Sequence, residues 1–322
     1  MSSSHHERAR LESLKPALAF RSLILSSIRA WFEKAGFIEV DTPVRLPTPA
    51  LEVHIDAIPS GNAFLRTSPE LHMKRLLAAG YERIYQMGPC FRLGERGRLH
   101  HPEFTLLEWY RASSDYLQIL QDTEALLTHV ASTTFLSSHQ PPTSNHSSSF
   151  PLPPPPWPRF TVSELFLAHA GWDPVRDYND RRFEEDLVNK VEPALPRNTP
   201  VFVMDYPAAA SALSRRKPGR VDVAERWELY ISGVEIANAF SELTDAGEQE
   251  QRFRQWASQR QADGRPVYPL DEAFLSALRL GMPPSGGIAV GIDRLVMVLA
   301  GKSALDDVMT FREADIQREI TA

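Results

Sequence analysis

In the first third of the chain, segments whose hydrophobic residues recur at helical spacing alternate with segments typical of β-strands. Over residues 16–36, apolar residues recur at three- and four-residue spacing, which predicts an amphipathic helix that ends at a glycine. The letters FIEV that follow predict a short strand. Residues 68–80 predict a second helix, with Ser68 as its N-cap and Pro69 at its first helical position. Residues 81–109 then predict two antiparallel strands that flank a charged loop.

The second half of the chain predicts further strands and helices. Residues 201–207 are an apolar run typical of a buried strand, and residues 226–243 predict a β-hairpin that turns at Ser232 and Gly233. Residues 286–301 predict a strand that leads into an apolar helix. Because antiparallel strands dominate and alternating βαβ units are absent from the pattern, we expect an α+β fold with a central antiparallel β-sheet flanked by helices.

Two segments differ in composition from the expected core. Residues 1–16 are polar and predict a flexible N-terminal tail. Residues 136–159 are rich in proline and serine without an apolar period, which predicts a surface insert. The segment over 160–200 is too short to carry a core of its own comfortably. We therefore expect one domain over residues 17–322, interrupted by the insert.

The bulk composition narrows the classes of function. The chain has 322 residues, of which 43% are hydrophobic and 24% charged, and its net charge of −6 disfavours a main role in coating nucleic acid. The one cysteine, Cys90, indicates a reducing compartment. Because the sequence has no apolar run of about 18 residues and no signal-peptide pattern, we expect a cytoplasmic protein without a membrane partner.

Charged residues cluster between the two strands predicted over 81–109, in the letters FRLGERGRLHHPEF. Arg92 stands at a strand end, and its planar guanidinium can bind a phosphate through two hydrogen bonds, while Phe104 can stack on a base. Since GxGxxG and P-loop motifs are absent, side chains would have to hold such a nucleotide. The alternative is a solvated hairpin tip of mixed charge.

A second cluster lies in the hairpin over 226–243. With a two-residue turn, Tyr230 faces Glu235, and Glu228 is diagonal to Glu235 on the same face, at about 5–8 Å. Two carboxylates this close repel each other, and a Mg²⁺ ion bound to phosphates would relieve the repulsion. The alternative is an exposed sheet face. Strict alternation places Asn238 and Glu242 on the opposite face from Glu235, so one site for all of them requires the strand to bulge or end.

The third cluster is the strand-to-helix junction GGIAVGIDRLVM. Small residues at positions 286, 287, 289 and 291 let a ligand approach the backbone. Arg294 follows at the beginning of the predicted helix, where the positive end of the helix dipole also favours anions. The alternative is a tightly packed junction with a surface arginine.

Together and in this order, these segments resemble the three motifs of class II aminoacyl-tRNA synthetases. The helix and strand that end in FIEVDTP resemble motif 1, the charged stretch after Phe91 resembles motif 2, and GIAVGIDRLVM resembles motif 3. The letters TSPELHMKRLL, HPEFTLLEWY and GVEIANAFSELTDAGEQEQRF are closest to the lysyl branch. The resemblance covers about residues 17–312 and implies the catalytic core of that class, with a homodimer formed through the motif 1 region.

Lysyl-tRNA synthetases also carry an N-terminal OB-fold that reads the anticodon. The predicted motif 1 helix begins within about 20 residues of Met1, so we expect no anticodon-binding domain and no anticodon recognition of tRNA. In this respect the chain resembles stand-alone paralogues of the lysyl branch, which ligate (R)-β-lysine to a specific lysine of elongation factor P.

That resemblance implies an ATP-dependent ligase with Mg²⁺ as cofactor. Its expected substrates are ATP, (R)-β-lysine and elongation factor P, and its expected intermediate is an aminoacyl-adenylate. Two alternatives remain. One is a truncated lysyl-tRNA synthetase-like enzyme that acts on tRNA, and the other is a non-catalytic paralogue that binds amino acid or ATP for regulation.

The resemblance also implies a set of site residues. Catalytic roles are implied for Arg92, Glu235 and Arg294, and Mg²⁺ ligation for Glu228 and Glu235. The residues implied to bind the amino acid are Ser68, Pro69, Glu70, Tyr110, Asn238, Glu242 and Ala289. The residues implied to bind ATP are Arg92, Leu93, Gly94, Glu95, His101, Phe104, Glu235, Ile236, Gly291 and Arg294.

Three positions differ informatively from the family pattern. The usual FRNE of motif 2 is FRLG here, which displaces the glutamate to Glu95, and the usual HNPEF is HHPEF, which places His101 where an asparagine is expected. Ala289 stands where lysyl-tRNA synthetases typically have glycine. One added methyl group changes substrate discrimination by about 1–3 kcal/mol, which fits a substrate whose amino group is shifted.

Overall fold

The computed structural model describes residues 3–137, 152–211, 213–312 and 315–316. The described α-helices are α1 (Ser3–Ser13), α2 (Lys15–Lys34), α3 (Glu70–Ala78), α4 (Tyr116–Ser137), α5 (Val162–His169), α6 (Asp180–Asp186), α7 (Ala246–Ala262), α8 (Glu272–Leu280) and α9 (Ile292–Leu299). Shorter helical turns lie at Leu187–Val191, Glu192–Ala194, Ala208–Ala210 and Leu305–Asp307. The described strands are β1 (Ile38–Glu39), β2 (Arg45–Leu46), β3 (Pro59–Ser60), β4 (Ala63–Leu65), β5 (Arg83–Phe91), β6 (Glu103–Ala112), β7 (Arg159–Thr161), β8 (Val201–Pro207), β9 (Arg216–Lys217), β10 (Arg220–Ile231), β11 (Val234–Ser241) and β12 (Ser285–Gly291).

One large sheet dominates the described part of the chain. Its strands follow the order β1-β5-β6-β12-β11-β10-β8-β7, and β9 pairs with β10. The two outermost pairs, β1 with β5 and β7 with β8, are parallel, whereas the pairs between them are antiparallel. Strands β2, β4 and β3 form a separate small sheet. The predicted α+β fold with a central antiparallel sheet is therefore confirmed.

Helices cover the two faces of the large sheet differently. On one face, α2, α4 and α9 pack against strand residues such as Trp109 and Leu229 and form the main hydrophobic core. On the other face, α3, α7 and α8 form a second cluster that includes Tyr110, and α5 and α6 form a third that includes Tyr206. Between the second and third clusters the sheet stays open, and a cavity lies there.

The hairpin of β10 and β11 has the predicted turn and also a bulge. Ser232 and Gly233 both have positive φ, of 53° and 73°, as a two-residue hairpin turn requires. Tyr230 pairs with Glu235 as predicted, but the register then shifts, so that Glu228 pairs directly with Asn238. One extra residue in β11 thus brings Asn238 onto the face that carries Glu228. Glu228, Glu235 and Asn238 therefore lie on the same face of the sheet, as a single site for them requires.

The N-terminal segment differs from its prediction. Within the predicted flexible tail over 1–16, residues 3–13 form helix α1. The Arg10 guanidinium donates to the carbonyl oxygens of Met309 and Thr310, at 3.2 and 2.7 Å, and so ties α1 to the end of the described chain. The prediction missed this helix because its partners lie about 300 residues away in sequence.

The proline-rich segment is partly anchored to the fold. Residues 138–151 of the predicted insert lie outside the described residues. After them, Trp157 is only 2% exposed, stacks on Phe202, and donates its backbone N–H to the Glu124 carboxylate at 2.9 Å. The prediction of a surface segment is therefore wrong at Trp157, because an indole buries a large apolar area. No helix in the described ranges is long and apolar enough to cross a membrane.

Candidate active site

The open face of the large sheet carries side chains in matching rows. The residues that pair across the central row are Gln86, Glu108, Ala289, Asn238 and Glu228. The residues that pair across a neighbouring row are Ile84, Tyr110, Gly287, Phe240 and Arg226. Since residues two apart in a strand share a face, both rows lie on the same side. The floor of an open cavity of about 510 Å³ is formed by six residues of these rows, namely Glu108, Ala289, Asn238, Tyr110, Phe240 and Arg226.

Loops and helices around the sheet form the cavity walls. They contribute residues 52–55, the start of α3, the segment at 178–184 before and within α6, and the middle of α7. Five of the predicted amino-acid-binding residues line this cavity, namely Ser68, Glu70, Tyr110, Asn238 and Ala289. Pro69 and Glu242 are not part of its lining. Most of the residues predicted to bind the amino acid therefore lie together in this cavity, whereas Pro69 and Glu242 lie elsewhere.

Glu108 lies on the cavity floor and is held by two hydroxyl groups. The Ser68 hydroxyl donates to Glu108 Oε1 at 2.7 Å, and the Tyr110 hydroxyl donates to Oε2 at 2.8 Å. Burial, together with the nearby charge of Glu70, raises the pKa of the Glu108 carboxyl to about 8. The Glu108 carboxyl therefore keeps its proton to a higher pH than an ordinary glutamate, and an ammonium group that approached it would favour release of the proton.

Lys74 lies directly behind the cavity wall. Its ammonium contacts Glu70 Oε1 at 2.6 Å and Glu242 Oε2 at 2.5 Å, and the Lys74 and Glu242 side chains are both fully buried. Burial acts to lower the pKa of Lys74, but the two carboxylates raise it above its ordinary value. Burial raises the pKa of Glu242 to about 8 even though Lys74 opposes the shift. Glu242 thus belongs to a buried charge triad rather than to the cavity surface.

The opposite side of the cavity floor is organised by Arg226. Its guanidinium donates to Asn238 Oδ1 at 3.1 Å and to Glu228 Oε1 at 2.6 Å. The hydroxyls of Tyr206 and Tyr230 both donate to Glu228 Oε2, at 2.6 and 2.7 Å. These contacts fix the Asn238 amide and leave one oxygen of Glu228 with spare acceptor capacity.

Arg92 connects this cavity to the motif 2 loop. It lines the cavity, and its guanidinium lies 5.1 Å from the centre of the Phe104 ring. The displaced glutamate of motif 2, Glu95, lies 3.5 Å from Arg92 Nη1. Arg92 Nε is buried and has no hydrogen-bond partner among the described residues. A buried donor without an acceptor is costly, so this nitrogen is a suitable donor for an anionic ligand.

The other motif 2 residues occupy distinct environments. Leu93 is 51% exposed, and Gly94 has a positive φ of 80° that turns the chain into the loop. His101 is buried, and its Nε2 lies 3.1 Å from Asp306 Oδ1. The neighbouring His100 instead approaches the motif 3 arginine, because adjacent residues of an extended chain point to opposite sides. The structure therefore gives His101 a protein partner that the sequence did not predict.

Arg294 forms the centre of a second polar cluster. It donates to the backbone oxygen and to Oε2 of Glu235, each at 3.1 Å, and to the carbonyl of Leu99. Its Nη2 lies 2.7 Å from His100 Nε2. Since a guanidinium only donates, His100 Nε2 accepts this hydrogen bond, and burial and Arg294 lower the pKa of His100.

The backbone around this cluster leaves space for a ligand. A Cβ atom added to Gly291 would meet nothing closer than the Arg294 side chain at 3.8 Å and the carbonyl oxygen of Ile236 at 3.9 Å. The Ile236 side chain is buried in the main core, so only its backbone can contribute to a site. Gly286 and Gly287 are different, because an added Cβ would clash with protein atoms of Asp115 and Tyr110. These two glycines serve packing, and the prediction that all four small residues admit a ligand is wrong for them.

The carboxylates predicted to bind Mg²⁺ fit that role. Burial and the nearby Glu228 raise the pKa of Glu235, although Arg294 opposes the shift. Oε1 of Glu235 has no hydrogen bond from the described residues, and Oε1 of Glu228 accepts only one. No group of three or more His, Cys, Asp or Glu side chains in the described ranges could hold a metal by itself. Mg²⁺ typically uses one or two carboxylates together with substrate phosphates, so this donor set is sufficient.

Several residues of the site were missed from the sequence. Lys74, Glu108 and Arg226 stand inside segments whose apolar pattern had been assigned to packing. A signal was present for Glu108 and Arg226, because each shares a strand face with a predicted site residue two positions away. Glu52 was also missed, since it stands in an irregular segment without a period.

The chain belongs to the class II tRNA synthetases. The family model described as tRNA synthetases class II (D, K and N) matches residues 3–314. The predicted resemblance to this class is therefore confirmed over nearly the whole chain.

Relatives named elongation factor P–(R)-β-lysine ligase match most of this chain. The elongation factor P–(R)-β-lysine ligase of Hamiltonella defensa is 39% identical, over 90% of this chain and 93% of that protein. The ligase of the same name from Salmonella gallinarum is 37% identical, over 92% of this chain and 94% of that protein. The lysine–tRNA ligase of Moorella thermoacetica is 36% identical over 92% of this chain, but the match covers only 65% of that protein. The predicted resemblance to stand-alone protein ligases is confirmed.

Proposed function

We propose that this chain is an ATP-dependent ligase that activates (R)-β-lysine and transfers it to a lysine of elongation factor P. The observation that carries the proposal is one cavity that joins Arg92 to Ser68, Glu70, Asn238 and Ala289. It is supported by relatives of that name which match almost end to end. A phosphate-binding arginine beside an acidic pocket is what the condensation of ATP with a diamino acid requires.

The charge of the cavity fits a lysine-type substrate. Its lining includes the carboxyl groups of Glu52, Glu70, Glu108, Asp180 and Glu184, but only two arginines, Arg92 and Arg226. A lysine isomer carries two ammonium groups and one carboxylate. Glu70 and Glu108 can pair with the ammonium groups, and Arg92 or the Asn238 amide can hold the carboxylate near the α-phosphate.

Adenylate formation follows from the placement of the two arginines. The substrate carboxylate attacks the α-phosphorus of ATP, and the bond to pyrophosphate breaks. Arg92 stabilises negative charge on the α-phosphate, and Arg294 stabilises the departing phosphates. Glu235 and Glu228 would hold Mg²⁺, which supplies further charge neutralisation on the phosphates when bound. Phe104 offers its ring to the adenine.

Ala289 is the proposed determinant of the amino-acid isomer. It lies in the central row between Glu108 and Asn238, so its methyl group occupies the middle of the cavity floor. A methyl group there leaves less room than glycine would, and it displaces the substrate relative to the fixed polar groups on either side. This placement supports a preference for (R)-β-lysine over α-lysine.

The final transfer needs a neutral lysine amine on the acceptor protein. An unperturbed lysine has a pKa near 10.4, so removal of its proton at pH 7 costs about 4–5 kcal/mol. The amine then attacks the carbonyl carbon of the adenylate, and AMP leaves. A base in the cavity is therefore part of the proposed mechanism.

The test measures pyrophosphate release with ATP and each lysine isomer, followed by the intact mass of elongation factor P. We expect release with (R)-β-lysine and a mass increase of one β-lysyl group. Arg92→Ala should reduce release by about 100-fold or more, whereas Arg254→Ala, at an exposed position on α7, should not. Wild-type release by Arg92→Ala would contradict the assignment. Charging of tRNA in place of elongation factor P would favour the truncated synthetase. Absence of pyrophosphate release with every lysine isomer would favour the non-catalytic paralogue.

We further propose a homodimer through the motif 1 region, without anticodon recognition of tRNA. Strand β1 lies at an edge of the large sheet, and Ile38 on it is 55% exposed. An exposed apolar residue at a sheet edge is suited to an interface. Ile38→Glu should shift the mass measured by light scattering from dimer to monomer. A cytoplasmic location remains a prediction from the single cysteine.

A further inference from the structure

We propose that the Glu52 carboxylate is the base that takes the proton from the acceptor lysine, an inference that rests on the proposed ligase function. Glu52 lies in the segment between β2 and β3 and lines the cavity beside Arg92 and Glu70. It is therefore placed where the α-phosphate arginine and the amino-acid pocket meet, which is where the carbonyl of the adenylate would lie.

The Glu52 side chain is available for proton transfer. No hydrogen bond or ion pair engages its carboxylate among the residues that the structure describes, although the side chain is part-buried. Burial raises the pKa of Glu52 to about 7, while Arg92 acts to lower it and Glu70 to raise it further. The more distant charges of Arg226 and Glu95 act in opposite directions. A base whose pKa lies near the working pH is the most effective general base.

The other carboxyl groups of the cavity are already engaged or lie at its rim. Glu70 is paired with Lys74, and Glu108 is held by two hydroxyl donors. Asp180 lies 3.5 Å from His54 Nε2 and accepts from the Tyr178 hydroxyl. Glu184 is exposed on α6, near Arg226 and Glu228. Among the acidic groups that line the cavity, Glu52 combines partial burial with a free carboxylate.

The backbone that carries Glu52 is fixed by a buried arginine of α7. Arg260 is fully buried, and its Nη1 donates to the carbonyl oxygens of Glu52, Val53 and Ile55 at 2.7, 3.1 and 2.9 Å. Its Nη2 donates to the Asp56 carboxylate. A base held in this way requires little reorganisation when the acceptor lysine arrives.

The proposed step balances in atoms and charge. The acceptor –NH₃⁺ gives one proton to the Glu52 carboxylate and becomes –NH₂. The nitrogen lone pair forms a bond to the adenylate carbonyl carbon, and the C–O bond to the AMP phosphate breaks. The second proton on nitrogen passes to the departing phosphate or to water, and Glu52 later releases its own proton to solvent.

Glu52→Gln distinguishes formation of the adenylate from transfer of the β-lysyl group to elongation factor P. We expect pyrophosphate release and the KM for (R)-β-lysine to stay within about twofold of wild type, because glutamine keeps the shape of the side chain. Transfer from the preformed adenylate to elongation factor P should fall by about 100-fold or more. Wild-type transfer should rise with pH through about 7, and the variant should lose this rise. Glu272→Gln, exposed on α8, is the matched control.

Hydroxylamine distinguishes a base from a binding residue. Its amine is already neutral near pH 8, so Glu52→Gln should trap the adenylate as the hydroxamate at the wild-type rate. Equal slowing with hydroxylamine and elongation factor P, a raised KM for the amino acid, or unchanged transfer would each overturn the proposal. If wild-type protein forms adenylate but never modifies elongation factor P, the proposed function fails and the base assignment fails with it.

Discussion

Substitution of Lys74 by methionine tests the buried charge triad most sharply. Methionine is similar in length and fits an apolar cavity, so the change removes one positive charge with little change in volume. The Lys74 ammonium is fully buried between Glu70 and Glu242, and Glu242 is fully buried as well. Removal of one partner from a buried ion pair leaves an uncompensated charge and typically costs about 3–5 kcal/mol. Since a domain is stabilised by only about 5–15 kcal/mol, we expect a large loss.

The loss should depend on pH in a defined direction. Without Lys74, the folded-state pKa of Glu242 rises further above its unfolded value, because the cation that lowered it is gone. A group with a raised folded pKa stabilises the fold below its unfolded pKa and loses that contribution as pH rises. The deficit of Lys74→Met should therefore be nearly constant from pH 5 to about pH 8, where wild-type Glu242 begins to lose its proton, and larger above that pH.

Equilibrium urea unfolding, followed by tryptophan fluorescence, measures this effect. The double variant Lys74→Met with Glu242→Gln removes both charges and should recover about 2 kcal/mol or more of the lost stability. A deficit below about 1 kcal/mol for the single variant at pH 8, or no recovery in the double variant, would refute the triad as a structural unit.

Four further substitutions, in three experiments, test the part of the sheet that carries the cavity floor. Wild type should lose stability from about pH 5 to 8, because folded Glu108, with a pKa of about 8, keeps a proton that the unfolded chain releases. Glu108→Gln should reduce this loss. Unfolding curves at several pH values measure the difference. Gly287→Ala should cost about 1–3 kcal/mol of unfolding free energy, since its Cβ would overlap Glu242, whereas Gly291→Ala on the same strand should cost under about 1 kcal/mol. Ala289→Gly should shift the ratio of kcat/KM values for α-lysine and (R)-β-lysine by about tenfold towards α-lysine.

Hydrophobic periodicity predicted most of the elements that build the site. The helix of motif 1, the two strands of motif 2 and the strand-to-helix junction of motif 3 all form as the pattern indicates. Periodicity succeeds there because each element buries one continuous apolar face. It missed α1, whose contacts to the carbonyls of Met309 and Thr310 come from the far end of the chain.

The full register of β11 could not be predicted from the sequence. The two-residue turn at Ser232 and Gly233 correctly pairs Tyr230 with Glu235, but the turn alone cannot fix the residues beyond a bulge. Only the neighbouring strand, in which Ala289 pairs with Asn238, determines which face those residues take. A bulge depends on packing on both sides of a strand, so the local pattern of polar and apolar residues does not determine it.

The sequence also did not predict which charged side chains are buried. Lys74 stands between apolar residues of α3, and a lysine at such a position is normally exposed. Its burial depends on Glu242, which lies 168 positions away along the chain. Residue type and spacing cannot reveal a pair of this kind, whereas several residues implied by the family motifs line the cavity next to it.

The most direct test of the central claim is a crystal structure with a non-hydrolysable β-lysyl-adenylate analogue. We predict that the adenosine phosphate lies between Phe104 and Arg294, with the α-phosphate on Arg92 and the amino groups in the cavity beside Glu70. An analogue bound elsewhere on the molecule, or bound without contact to Arg92, would contradict the account.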